Sequence, residues 1–463
     1  MKEDAELRRL RKEIRSTTLE IFHLINKRMK IGEEIGRVKK SLKLPFLDGK
    51  VERELRDDVM QYCVSKGIDE KLVARILTLL FRETIAREVS SSKNEAISAS
   101  KMFVRAKELE KQGKKIIHLE VGEPDFSPPL KVLEATKDAM YGGFTRYTIP
   151  SGISELKAKI ASHVSKRYNV NIGEKDVICT VGARFGIFAA MNAVLSPGNE
   201  VINIDPNWPA YGDTAEFLGA RVRTISTTLE KSWEPSLEDI ENSITDATQM
   251  LILSYPNNPT GKVLSPKTLE KMVEIAQKKN ITILSDEVYA DYCFVPNRSL
   301  IEFEYSNSIV VSSFSKTYAM TGFRLGYAMG NAKILARMAK IQEIAVLSLP
   351  HFIQVGAMKA FDDETYVRRN IAEMKKRFEV AAKLLSTFPL RFRKPDGGLY
   401  VFPKGRDVKF NGNEFAIELL EKKGVAVTPG TGFGDYPNFF RISLNQPVDV
   451  LSEGIKRVGE LLR

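Results

Sequence analysis

The sequence predicts two fold classes in one chain. Residues 1–92 read as an all-α domain. Residues 101–463 read as α/β, with a mainly parallel seven-stranded sheet and a smaller α/β part. Three observations predict this. Apolar residues recur in steps of three and four from Leu7 to Leu42, the mark of a long packed helix. After residue 175, seven short apolar runs alternate with helical stretches. Between the two regions, residues 93–100 form a stretch of small and polar residues suited to a linker.

Composition sets the outer limits. The 463 residues are 43% hydrophobic, which suits two or three globular domains. No apolar run approaches the roughly 20 residues that span a membrane, and the charged start argues against a secretory signal. Cys63, Cys179 and Cys293 are far apart and odd in number, so a reducing cytoplasm is expected, without disulfide or metal. Net charge is +11. Residues 1–93 hold 22 Lys and Arg against 16 Asp and Glu, hence +6. That excess suits nucleic acid or small anionic substrates.

The first helix carries Leu7, Leu10, Ile14, Thr17, Ile21, Leu24, Ile31, Ile35, Val38 and Leu42 as one heptad seam, and Pro45 ends it. Such a seam must pack along its length, often on a second subunit. A second helix follows Asp48, and a third runs from about Asp69 to Glu88. The seam is broken by Arg28, and a buried guanidinium needs an anion. Lys39, eleven residues on, falls about 20° from Arg28 around the helix. Arg11 lies on a different line and suits another site, across a subunit boundary. Salt bridges to Glu33, Asp48 or Glu52, or a solvated face, are the alternative.

In the larger region the expected strands are 177–180, 201–204, 221–225, 250–254, 281–284, 309–311 and 325–329. Ligands of such sheets bind at the strand C-termini. Those ends carry Gly182, Ala183 and Arg184 at a helix start, Asn258, Asp286 with Tyr289, and the run from Ser313 through Ser315 and Lys316 to Arg324. Backbone amides at a helix start cradle phosphate. Together these residues meet the needs of pyridoxal 5'-phosphate. Lys316 supplies the amine and Asp286 keeps a ring nitrogen protonated. Asn258 and Tyr289 reach a ring hydroxyl, Trp208 stacks on the ring, and Ser313, Ser315 and Arg324 bind the phosphate.

Two resemblances follow from these residues. Residues 4–90 resemble the all-helical (AroQ-type) chorismate mutases, intertwined helical dimers, at Arg11, Arg28, Lys39, Asp48, Glu52, Thr84 and Glu88. The resemblance implies that the arginines hold the carboxylates of chorismate, with Arg11 supplied by the partner. Lys39 and Glu88 would bond the ether oxygen and Glu52 the hydroxyl. Val51 stands where some members carry another arginine, and Glu88 where many carry glutamine. Residues 96–463 resemble the class I, fold-type I aminotransferases at Val121 to Asp125, Tyr147 to Gly152, Asn257 to Gly261, Asp286 to Tyr289, Ser313 to Arg324, and Phe440 to Leu444. The resemblance implies that Arg441 binds the substrate α-carboxylate and that Gly122 admits the substrate to the backbone. It also implies that Tyr147 reaches the phosphate of the neighbouring subunit, so that the enzyme is a homodimer or larger. Residues 97–105 are expected to cover the pocket. Lys101 and Arg184 are candidates for a distal carboxylate.

The expected function is a bifunctional enzyme of aromatic amino acid biosynthesis. It rearranges chorismate to prephenate. It then transfers an amino group from glutamate or aspartate to prephenate, giving arogenate, or to an aromatic pyruvate. General aspartate exchange is an alternative for the second activity, and decarboxylation or elimination would keep the same fold. A DNA-binding regulator with an aminotransferase-like sensor is the rival of another class. Its binding would weaken steeply with salt.

A glutamate must be protonated to donate to an ether oxygen. Mutase turnover is therefore expected to rise from pH 8 to pH 5, and Glu88→Gln to flatten that slope. A rate profile of the unmodified protein that is flat over this range would contradict the role of Glu88.

Overall fold

The first helix, α1 (Lys2–Ser41), is followed by α2 (Gly49–Ser65) and α3 (Glu70–Ser92). The computed structural model describes residues 2–41, 49–92 and 98–462. It divides into two compact units, residues 1–96 and 97–463. In the first unit, Val73, Leu77 and Phe81 of α3 are buried with Val59, Met60 and Cys63 of α2 packed on them. The face of α1 that meets its own chain is Met29, Gly32 and Gly36, not the heptad seam. A Cβ at Gly32 would stand 2.7 Å from the Thr84 methyl, so the glycine sets how closely α1 and α3 approach. The seam residues Leu7, Ile14, Ile21, Leu24, Ile31 and Val38 are 46–69% exposed in the single chain.

The second unit begins with α4 (Ala99–Lys111), capped by Ser98, whose hydroxyl accepts from the Lys101 amide. The helix therefore starts inside the stretch expected to be linker. Then come β1 (Ile117–His118), α5 (Leu130–Tyr141), α6 (Ser154–Tyr168), β2 (Val177–Thr180), α7 (Gly182–Val194), β3 (Glu200–Asp205), α8 (Ala210–Phe217) and β4 (Arg221–Ser226). They are followed by α9 (Leu237–Ser243), β5 (Thr248–Ser254), α10 (Pro266–Lys279), β6 (Thr282–Asp286), β7 (Ser308–Ser313), α11 (Phe314–Thr317) and β8 (Gly326–Gly330). The chain continues through α12 (Ala332–Val346), α13 (His351–Ala357) and α14 (Glu364–Leu385) to β9 (Leu390–Arg391), β10 (Tyr400–Val401) and β11 (Lys404–Gly405). Last are α15 (Gly412–Lys423), β12 (Val425–Ala426), β13 (Thr428–Pro429), β14 (Phe440–Ser443) and α16 (Val448–Leu461).

The seven-stranded sheet has the order β2-β8-β7-β6-β5-β3-β4, and β8 runs antiparallel to both neighbours. Its inner strands are apolar on both sides because both faces are covered, whereas the edge strand β4 is partly exposed. Ile202, Leu251, Leu253, Ile283 and Val310 enter one core, while Val201, Met250, Ile252, Leu284, Ile309 and Val311 enter the other. The smaller part gathers around Phe378, Leu399, Leu419, Phe440, Ile442 and Ile455.

Register places the site. Asp286 stands beside Ser254, and Gly326 is level with Thr180 on one side and Ser313 on the other. The first turn of α7 lies against Gly326: a Cβ there would stand 2.7 Å from the Ala183 nitrogen and 2.9 Å from the Ser312 oxygen. Both obstacles are backbone. Gly326→Ala is therefore expected to cost about 1–3 kcal/mol, as overpacking does. A denaturant midpoint for the larger unit equal to that of the unmodified protein would contradict this packing.

Candidate active site

A cavity of about 750 Å³ opens at the C-terminal edge of the sheet. Of the residues expected there, Gly122, Ala183, Arg184, Trp208, Asn258, Asp286, Tyr289, Ser313, Ser315, Lys316, Arg324 and Arg441 line it. The start of α4 contributes Ser98, Ala99, Ser100, Phe103 and Val104 to the wall.

One end is built for an anion. Helix α7 starts without a side-chain cap, so its first amides are available. Gly182 lies beside this wall, and a Cβ on it would stand 2.7 Å from Arg324 Nη2. Arg324 holds a left-handed backbone, φ 54°, that a non-glycine residue adopts at a cost of about 1–2 kcal/mol. Its Nη1 donates to Thr321 O at 2.8 Å. Ser313 caps the short α11, accepting from the Ser315 amide at 2.8 Å.

Asp286 is buried at the end of β6, and loss of hydration raises its pKa to about 6. Tyr211 donates to its Oδ2 at 2.6 Å, and the Ser254 hydroxyl in turn donates to the Tyr211 oxygen at 3.0 Å. The Trp208 ring lies 5.4 Å from that of Tyr211, edge-on, and Arg184 stacks 4.5 Å from the Trp208 centroid. Burial, with Arg324 next in effect, lowers the Arg184 pKa. Tyr289 bonds the Tyr400 hydroxyl at 2.7 Å. Tyr400 also explains Gly122, since a Cβ at 122 would overlap its hydroxyl.

Lys316 sits on α11, its carbonyl held by Tyr292 Oη at 3.2 Å. Its Nζ donates to Gly122 O at 2.8 Å. Burial drives its pKa down to about 8, against the pull of Glu123. Glu123 itself accepts from Thr321. The loop carrying Gly122 and Glu123 is anchored by Asp125, which accepts from Arg377 at 2.6 and 3.0 Å. Arg441 is buried over the Tyr400 ring, 4.3 Å from its centroid. It donates to Asn258 Oδ1 at 2.8 Å and to Glu120 O, and its Nε has no partner. Asn258 thus faces Arg441 as an acceptor.

These features fit pyridoxal phosphate. There is an open helix end flanked by arginine for the phosphate, a buried carboxylate for the ring nitrogen, and a neutralisable lysine between. Tyr147 and Lys101 do not line the cavity, and Tyr147 is 83% exposed. Tyr211, Tyr400, Glu120, Glu123 and Thr321 line it without having been expected. Tyrosines in apolar surroundings read as core, whereas Glu123 lies inside the Gly122 to Asp125 run and could have been found.

In the first unit, Arg28 is half-buried over Phe81, 5.5 Å from the ring centroid, with Nε buried and unpartnered. Arg56 lies 5.6 Å from the same ring. Lys39 is half-buried and Arg11 exposed. Thr84 is buried, and its hydroxyl donates to Leu80 O at 2.7 Å. Glu33 accepts from Arg87 at 2.9 Å. Asp48 lies outside the described residues, as do the side chains of Glu52 and Glu88.

Known proteins agree with both units. Residues 114–458 match the family model for aminotransferase class I and II, and residues 10–89 match chorismate mutase type II. An aspartate aminotransferase of Sulfolobus acidocaldarius is 36% identical over 76% of this chain and 91% of its own. A probable aspartate/prephenate aminotransferase of Aquifex aeolicus is 33% identical over 77% and 94%. Among solved structures, the Thermotoga maritima aspartate aminotransferase superposes with a TM-score of 0.75 at 33% identity, over 79% of this chain and 97% of that one. The Thermus thermophilus aspartate aminotransferase with maleate gives 0.76 at 29% identity, over 81% and 98%.

The pKa of Asp286 yields a signed test. Its folded value, about 6, is above that of an unfolded carboxyl, so this group favours folding most at acid pH. The contribution fades as pH rises through 6. Asp286→Asn is neutral throughout. In cofactor-free protein it is expected to raise the thermal midpoint at pH 8 and to lose that advantage by pH 4. Equal midpoints at pH 8 would contradict the burial of a charge.

Proposed function

The chain belongs to the class I and II aminotransferase family and carries a type II chorismate mutase segment, and from that membership we propose the reaction sequence that joins its two activities. The first unit converts chorismate to prephenate. The second transfers an amino group to prephenate, giving arogenate, with glutamate or aspartate as donor. Pyridoxal phosphate is the cofactor.

One observation carries the choice of acceptor. Arg184 lines the cavity, stacks on Trp208, and pairs with no carboxylate among the described residues. With Arg441 it makes two guanidinium groups for two carboxylates. Prephenate, glutamate and aspartate are dicarboxylates, whereas aromatic pyruvates have one carboxylate. A transaminase must take donor and acceptor in the same cavity, so a dicarboxylate site suits both halves of the cycle. The Thermus relative was solved with a dicarboxylate, maleate, and the Aquifex relative carries prephenate in its name. Lys101 has no place in the cavity wall and is not needed.

When bound, pyridoxal phosphate supplies a carbonyl that takes up the amino group and a ring that draws electrons from the α-carbon. The chain does the rest. Asp286, steadied by Tyr211, would hold a proton at the ring nitrogen. The first amides of α7, with Arg324, Ser313 and Ser315, would hold the phosphate. Lys316, at about pKa 8, has a neutral fraction at physiological pH and would hold the cofactor through its amine and, when released, carry a proton. Arg441 orients the α-carboxylate. In the first unit, the unpartnered Arg28 Nε supports an anion site, with Lys39 beside the breaking bond and Arg11 reaching a partner's substrate.

A homodimer belongs to the same reading. The exposed seam of α1 offers a long apolar face, and Tyr141, Phe144, Tyr147 and Ile344 offer another on the larger unit. A cytoplasmic setting accords with three free cysteines. Among the described residues no helix is long and apolar enough to cross a membrane.

The test supplies chorismate, pyridoxal phosphate and glutamate or aspartate, and identifies the aminated product. Arogenate is expected; phenylalanine or tyrosine formed from aromatic pyruvates alone would overturn the reading. Arg184→Gln is expected to raise KM for prephenate at least about tenfold, as loss of a charged hydrogen-bond pair does, and to leave KM for phenylpyruvate within about twofold. Lys316→Ala should abolish transamination and spare the mutase, and Arg28→Ala the reverse.

A further inference from the structure

We propose that His118 is a positioning residue of the aminotransferase site, latching α4 over the cavity by bridging Glu110 and the buried Glu120. Its Nδ1 lies 2.7 Å from Glu120 Oε1 and its Nε2 3.1 Å from Glu110 Oε1. Glu110 is on the last turn of α4; Glu120 lines the cavity. A single ring therefore ties the helix covering the site to the strand beneath it.

The burial of Glu120 is what demands this partner. Its side chain is 0% exposed, and Oε2 has no hydrogen bond. A carboxylate taken wholly out of water costs several kcal/mol unless it is paired. Among the described residues His118 is the one ionic partner of Glu120. The same segment is attached to the reacting groups through its backbone. Glu120 O accepts from Arg441 Nη2 and from Thr428 Oγ1, and Gly122 O accepts from Lys316 Nζ. Movement at Glu120 is thus movement at the carboxylate-binding arginine.

The helix side is equally ordered. Met102, Ala106 and Leu109 bury one face of α4. Phe103, Lys107 and Glu110 form the adjoining face. The Phe103 ring stands 6.0 Å from that of His118, and Lys107 Nζ is bound to Glu110 Oε2 at 2.8 Å. Phe103 and Val104, with Ser98, Ala99 and Ser100, form cavity wall. Loosening Glu110 therefore loosens the wall that closes over the substrate. His118 itself stays in place, because Gln446 Nε2 donates to its carbonyl at 3.2 Å.

The latch has a pH dependence of definite sign. The charged groups facing His118 are Glu120, two residues beyond it in the chain, and Glu110 on α4, the latter shared with Lys107; Arg105 of α4 is engaged by Glu108 and Glu421. The hydrogen bond to Glu120, opposed by burial and aided by Glu110, raises the pKa of His118 above its ordinary value. The doubly bonded, charged ring is thus the form on the acid side of that raised value. The latch weakens as pH rises through that raised value.

The inference rests on the aminotransferase reading of the cavity but not on which keto acid enters it. The experiment uses the full-length holoenzyme with prephenate and 2-oxoglutarate as acceptors, alongside Glu110→Gln, His118→Gln and the double variant. Glu110 touches neither cavity nor cofactor residues, so its variant is expected to fold. Each single change should raise keto-acid KM about fivefold, the effect of losing one ordinary hydrogen bond. Each should leave kcat within about twofold and speed amide exchange across residues 99–111. The double variant should be no worse than either single one. The ratio of His118→Gln KM to that of the unmodified enzyme should be larger on the acid side of the raised His118 value and approach one at alkaline pH; Lys316 titrates in both proteins and cancels. Unchanged α4 exchange in Glu110→Gln, or a KM ratio independent of pH, would overturn the proposal. So would a fall in kcat with KM constant. Because amide exchange needs no turnover, it reads the latch even if neither acceptor proves to be a substrate.

Discussion

An amine held out of water at the edge of a parallel sheet is the constraint on which the site depends. Hydration favours a charged lysine, and burial moves Lys316 down to about 8. Burial moves Asp286 the other way, to about 6. The two groups are thereby brought toward neutral pH from opposite directions, which is what proton transfer near pH 7 requires. Neither is left without support: Gly122 O receives the amine and the Tyr211 hydroxyl meets the carboxylate. The fold supplies these partners through register. Strand β6 sets Asp286 beside Ser254, and Gly326 lets α7 settle against the sheet so that its amides face the same cavity.

The smaller unit uses related physics on a smaller scale. Arg28 is held against Phe81 with one nitrogen dry and unpaired, a state that an anion would relieve. The close contact of α1 and α3 at Gly32 and Thr84 fixes that guanidinium's base. The heptad seam is left to other contacts. In both units a cation is positioned by apolar or aromatic packing, not by a carboxylate. That arrangement leaves its charge for a ligand.

Much of this was legible in the sequence because buried parallel strands are apolar on both faces and end in polar, chemically distinctive residues. The seven strands appear within two residues of their expected ends, and Lys316, Asp286, Asn258, Arg324 and Arg441 meet in one cavity. The rest was hidden for identifiable reasons. The small-part strands β9 to β13 are two residues each, too short for any alternation to show. Tyr211 and Tyr400 act through their hydroxyls but lie among apolar neighbours, so periodicity assigns them to the core. The heptad seam was visible, but its pattern concealed that Met29, Gly32 and Gly36 make the contact within the chain. Glycine carries no hydropathy signal, and close approach is seen only once Thr84 is placed opposite.

The central claim is that the chain itself, before any ligand arrives, holds Lys316 as a weakly basic amine. The direct measurement is the titration of Lys316 in full-length, cofactor-free protein. Its rate of modification by a trace amine-reactive reagent would be followed from pH 6 to pH 11, and the Lys316 peptide quantified by mass spectrometry. The account predicts half-titration at about 8. A midpoint at the ordinary lysine value of about 10.4 would contradict it.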